Sequence, residues 1–205
     1  SIYINTNILP KDVTYFRIRK TYNKTISSGH GSYNSIGGLE RDFVIANYTA
    51  SAYGIEVMRI GAVAYSVAGL IENQVYDYII ELILDQTKVN YYVVDVLTGV
   101  TVYSKLDITV DKPTLYLMTN PLYMFKSSGL SGYYSYNKVY SFQINDETWY
   151  INNGTGSTIT GDKGTTLTVS GTTTSFWQPS EIWNDPAQMK LLETELDIQN
   201  EIVEI

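Results

Sequence analysis

The stretch "VYDYIIELILDQTKVNYYVVDV" (75–96) decides the fold. Tyr76, Tyr78, Ile80, Leu82 and Leu84 fall on one side of an extended chain, with Asp77, Glu81 and Asp85 on the other. A period of two with one apolar side is a strand with one buried face. The polar "DQTK" (85–88) turns this run into a second one, "VNYYVVDV" (89–96). "LTG" (97–99) then turns that into a third, "VTVYSKLDITV" (100–110).

The same texture extends in both directions. "VTYFRIRKTY" (13–22), "DFVIANYTA" (42–50), "IEVMRIGAVAYSVAG" (55–69), "TLYLMTN" (114–120), "YNKVYSFQI" (136–144) and "ETWYI" (147–151) read as strands. "NKTISSGHGSYNSIGG" (23–38) reads as a loop, and the Thr/Gly-rich 152–175 as two short strands with their turns. Near the C-terminus Leu192, Thr194, Leu196, Ile198 and Ile202 alternate with Glu193, Glu195, Asp197 and Glu201, which reads as a last strand with an acidic face. About a dozen strands at roughly 8–12-residue spacing make an all-β, β-sandwich or jelly-roll-like domain. At 205 residues the chain can bury a sizeable core without a metal.

Composition narrows the function classes. Charged residues are 17% of the chain and there is no Cys, which excludes disulfides and thiol chemistry. A net charge of −7 and a pI near 4.7 argue against nucleic acid, which needs clustered Lys and Arg. The one basic cluster, Arg17, Arg19 and Lys20, is outweighed by acids elsewhere. No apolar run is long enough for a membrane-spanning helix. The single His, His30, sits in "SGHGS" and reads as a turn residue; no metal or cofactor is expected.

Catalytic patterns are weak. "ELDIQNE" resembles the E-x-D-x-x-E strand of laminarinase-type glycoside hydrolases, with Glu195, Asp197 and Glu201 on one face, but it carries one residue too many. The chain is read as a non-enzyme. Trp149, Trp177 and Trp183 could form a sugar-stacking platform for a lectin-like jelly roll, chiefly through Trp177 and Trp183; strand tyrosines such as Tyr76, Tyr78, Tyr91, Tyr116 and Tyr150 read as packing. A viral capsid or spike jelly roll fits the same physics.

The three sequons at Asn23, Asn47 and Asn153 are about what chance gives for this composition. They matter if the chain is secreted; then Asn23 and Asn153, in loops, are the good N-glycosylation acceptors, and Asn47, in a strand, qualifies if it faces outward.

The first residues, "SIYINTNI" (1–8), also alternate, with Ile2, Ile4, Thr6 and Ile8 on one side. Such a strand can pair within its own sheet or complete that of a neighbour. Head-to-tail donation does not close and builds a filament. The tail is set off by Pro10, giving residues 1–10 as a donor strand and 11–205 as the head domain. The acidic C-terminal strand is an alternative donor.

With its Ser1 start, alternating tail, absent Cys, few charges, Tyr/Thr/Asn-rich strands and sequons, the chain resembles the thread-type surface pili of crenarchaea. The resemblance implies an extracellular, glycosylated β-sandwich subunit for adhesion or cell–cell connection. It would be polymerised with identical subunits through donor strands and isopeptide bonds. The candidates for such bonds are Lys138 and Lys105, enclosed in strands, with Asn5 and Asn7 on the tail. The resemblance gives no local motif that assigns a pair.

Overall fold

The computed structural model describes residues 3–22, 33–35, 43–48, 55–60, 63–83, 87–109, 121–124, 139–151 and 157–171. In chain order its strands are β1 (Tyr3–Asn5), β2 (Tyr15–Thr21), β3 (Tyr33–Ser35), β4 (Phe43–Tyr48), β5 (Ile55–Ile60), β6 (Val63–Val67), β7 (Val75–Ile83), β8 (Lys88–Asp95), β9 (Thr101–Thr109), β10 (Tyr123–Met124), β11 (Val139–Ile144), β12 (Glu147–Tyr150), β13 (Thr158–Thr160) and β14 (Thr166–Ser170). They form an eight-stranded sheet, β13-β14-β1-β10-β3-β4-β5-β6, and a six-stranded sheet, β12-β11-β2-β7-β8-β9. All pairings among the described strands, from β1 with β10 to β8 with β9, are antiparallel.

The chain is therefore an all-β sandwich. The period-two pattern of 75–96 is realised as expected: Tyr76, Tyr78, Ile80 and Leu82 of β7 are buried with Val89, Tyr91 and Val93 of β8. They meet Phe16 and Ile18 of β2 and Phe142 of β11 in one core with Ile4, Met124, Leu167 and Val169 of the other sheet. The run at 55–69, read as continuous, is an antiparallel pair, β5 with β6. The loop at 23–38 contains the short strand β3, paired with β4.

The N-terminal strand belongs to its own molecule. Ile4 lies opposite Met124 on one side and Val169 on the other. The pairing runs on past β1: Thr6 N–H donates to Leu122 O at 3.1 Å, and Leu122 N–H to Ile8 O at 2.8 Å. Ile4 is fully buried, which contributes about 1.5–3 kcal/mol. Thr6 is buried with its hydroxyl donating to Leu122 O at 3.0 Å, and Ile8 packs against the core. In this single chain the expected donor residues Ile4, Thr6 and Ile8 lie in and after a strand whose two neighbours, β10 and β14, belong to the same chain. The boundary after residue 10 is a 3-10 turn, Pro10–Asp12, that carries the chain from one sheet to the other.

Candidate functional site

Alternation puts a second set of side chains on the face of the six-stranded sheet turned away from the core. The register sets them in rows. Tyr15 lies opposite Glu81, and Glu81 opposite Asn90. The next row runs Thr148, Gln143, Arg17, Ile79, Tyr92 and Ser104 across all six strands. A third runs Tyr150, Ser141, Arg19, Asp77, Val94 and Thr101. This face is not uniformly open: Asp77, Ser141 and Thr148 are nearly fully buried. Tyr15, Arg17, Arg19, Glu81, Asn90, Tyr92 and Gln143 on it are of intermediate burial, and Tyr150, Thr101 and Ser104 are exposed.

Three of these groups form a hydrogen-bonded cluster. The Asn90 amide nitrogen donates to Glu81 Oε2 at 3.5 Å, and the Tyr92 hydroxyl also bonds to Glu81. Asn90 is oriented from β9. The β8–β9 ladder shifts register between Val89 and Tyr91, and Asp107 there takes φ 56°. That bulge aims the Asp107 N–H at Asn90 Oδ1, 3.0 Å away, so the Asn90 NH2 faces Glu81. Burial pushes the Tyr92 phenol above its ordinary range, and the hydrogen bond and charge of Glu81 push it further. Tyr92 therefore stays protonated at neutral pH and donates to the carboxylate. Burial likewise raises Tyr15, beside Asp77 and Glu81, although Arg17 opposes the shift.

The charges in the neighbouring rows are unequally shared. Arg19 takes Asp77 in a fork, Nε to Oδ1 and Nη2 to Oδ2, both at 2.8 Å. Arg17 reaches the same carboxylate at only 4.0 Å. Its buried Nε has no hydrogen-bond partner among the described residues, nor does the buried Thr21 hydroxyl on the same strand face. Leaving such a donor unmade costs about 1–3 kcal/mol. Beside this face β9 exposes Val102 and Leu106.

The structure disposes of several sequence candidates. Trp149 is a core residue, 1% exposed, stacked on Phe142 at 5.2 Å with its indole N–H on Thr165 O, so it offers no platform. Tyr76, Tyr78 and Tyr91 are core packing, as read, while Tyr150 is exposed. Lys105, on β9, is exposed in the single chain. Among the described residues the fully buried lysine is Lys20, its ammonium 4.6 Å from the Tyr78 ring centroid. Asn5 and Asn7 engage each other, the Asn7 N–H on Asn5 Oδ1 at 2.9 Å. Asn47 lies on β4 opposite Glu56. Ile2, Asn23, His30, Tyr116, Lys138, Asn153, Trp177, Trp183, Glu195, Asp197 and Glu201 lie outside the described residues.

Among the described residues no group of His, Cys, Asp and Glu could hold a metal ion, and no helix is long and apolar enough to cross a membrane. Glu81, Asn90 and Tyr92 were missed because only register brings them together. The signal was the outward set of the hairpin, of which the alternation named Glu81.

What the fold and this face define is a β-sandwich presenting a polar–aromatic sheet surface. No protein-family model and no curated protein matches the chain. Among solved structures it is similar to a candidate carbohydrate-binding protein from Bacteroides ovatus ATCC 8483, with 14% identity, TM-score 0.53, and 84% of this chain and 57% of that one covered. It is also similar to the enzymatically active domain of tailspike protein 2 of bacteriophage CBA120, with 11% identity, TM-score 0.47, and coverage of 73% and 24%. The chain thus spans less than two thirds of either structure.

Proposed function

We propose that this chain is a carbohydrate-binding, lectin-like β-sandwich whose sugar site is the outer face of the six-stranded sheet around Glu81, Asn90 and Tyr92. The cluster of phenol, carboxylate and amide carries this reading. Sugars present hydroxyls, which need donors and acceptors side by side, and C–H faces, which need an aromatic or aliphatic wall. Glu81 and Asn90 supply the first; Tyr92 and the adjacent Leu106 supply the second. The groups stand on paired strands and are tied to one another, so little order is lost when a ligand arrives. The likeness to the Bacteroides ovatus protein supports the fold on which such a site would be built.

The reading makes the chain a binding module, not an enzyme. The test is a glycan array with the wild-type protein, Tyr92→Ala and Glu81→Gln. Sugar binding by wild type that both variants lose is the expected result; binding that both retain contradicts the site. Extracellular location, N-glycosylation and assembly into filaments are proposals that rest on the sequence. With β1 inside its own sheet, assembly by strand donation requires β1 to leave that sheet and a second copy's β1 to replace it.

A further inference from the structure

We infer that the ligand of this face carries an anionic substituent, a carboxylate or a sulfate on the sugar, and that Arg17 receives it. The inference rests on the carbohydrate reading above and goes one step further, to the class of sugar. It follows from how the face divides its charges. Two described carboxylates lie close to the arginines. Asp77 gives both oxygens to Arg19 at 2.8 Å. Glu81 is engaged by Tyr92 and Asn90. Arg17 is left with one contact at 4.0 Å and a buried Nε without a partner among the described residues.

A guanidinium presents its donors in a planar fork that matches a carboxylate or sulfate. Arg17 is still reachable, its side chain 23% exposed. Its row places it two strands from Tyr92, with Ile79 as the floor between them. Neighbouring strands lie about 4.8 Å apart, so the two side chains stand about 10 Å apart at their bases. A ring stacked on Tyr92 can therefore extend a charged group to Arg17. A neutral sugar would offer the guanidinium only single uncharged oxygens, without the charge or the fork geometry. The protein's net charge of −7 repels long polyanions, so the fitting ligand is a short or sparsely charged oligosaccharide.

The experiment uses trisaccharides of galacto, gluco and manno configuration, each in neutral, uronate and sulfated form, titrated into wild type, Arg17→Gln, Arg17→Lys and Tyr92→Ala by calorimetry. Circular dichroism checks that each variant is folded. The expected result is an acidic form bound about tenfold or more tightly than its neutral counterpart. Arg17→Gln brings the acidic form down to the neutral level, Arg17→Lys restores part of the difference, and Tyr92→Ala weakens both. The uronate and sulfate arms identify which anion is read. Neutral forms bound as well as acidic ones, with Arg17→Gln without effect, overturn the inference and leave the carbohydrate site standing. No binding in any arm overturns both.

Discussion

The two faces of the six-stranded sheet are made by the same strands and the same alternation, and they are held by different forces. On the inner face Phe16, Ile18, Tyr78, Ile80, Tyr91 and Val93 are all 0% exposed. Their partners are one another, and volume decides whether they fit. One residue to the side, Arg19, Asp77, Glu81, Asn90 and Tyr92 are held by directed bonds, and Arg17 beside them keeps an unused donor. The difference teaches that volume packing stabilises one side of these strands, while the other side, where we place the proposed recognition, is arranged by directed polar contacts.

That separation can be broken from the inner side first. Removing residues 1–9 takes β1 out from between β10 and β14, together with Ile4 and the Thr6–Leu122 bonds. We expect loss of cooperative unfolding in urea. A truncated protein as stable as the full chain would return residues 1–9 to the status of a detachable tail. Ile80→Ala leaves a cavity in the shared core and should cost about 2–5 kcal/mol by denaturant titration. Asp77→Ala frees the two arginines on the outer face and should cost about 1–3 kcal/mol, since Arg19 loses a partner in a nearly buried setting. Tyr92→Ala should change stability by less than about 1 kcal/mol while abolishing sugar binding. If it unfolds the protein instead, the two faces are not separable.

The smallest effect is in acid. Burial raises the Asp95 carboxyl, but the hydrogen bonds from Gln74 and from the Leu97 and Thr98 backbone N–H groups together outweigh it, and the net shift is downward. A carboxylate held low in the folded state adds stability that is present above its unfolded value and is lost as pH falls through the folded one. Stability should therefore decline below about pH 4, and Asp95→Asn should flatten that decline.

The hairpin at 75–96 shows how much of this was legible in the sequence. Its alternation named the buried set, Tyr76, Tyr78, Ile80 and Leu82, and the outward set, Asp77 and Glu81, because both follow from a local period. The alternation of Ile4 and Thr6 was equally plain, but its partner was not. Thr6 meets Leu122 across 116 residues, and β10, two residues long, has no pattern to read. A three-residue strand such as β3 disappears inside a Gly/Ser loop for the same reason. The candidate site depends on register between strands and on the bulge at Asp107, which no single run of residues encodes. Trp149 was open between platform and packing, and only its place opposite Phe142 decides.

The central claim is that ligand recognition sits on the outer half-face of the six-stranded sheet. The most direct measurement is a heteronuclear NMR titration of the labelled protein with the best-binding trisaccharide. The account expects the largest shifts at Ile79, Glu81, Asn90, Tyr92 and Arg17, with Tyr78, Ile80 and Tyr91 little changed. Shifts confined to the loops, or to the eight-stranded sheet, would contradict it.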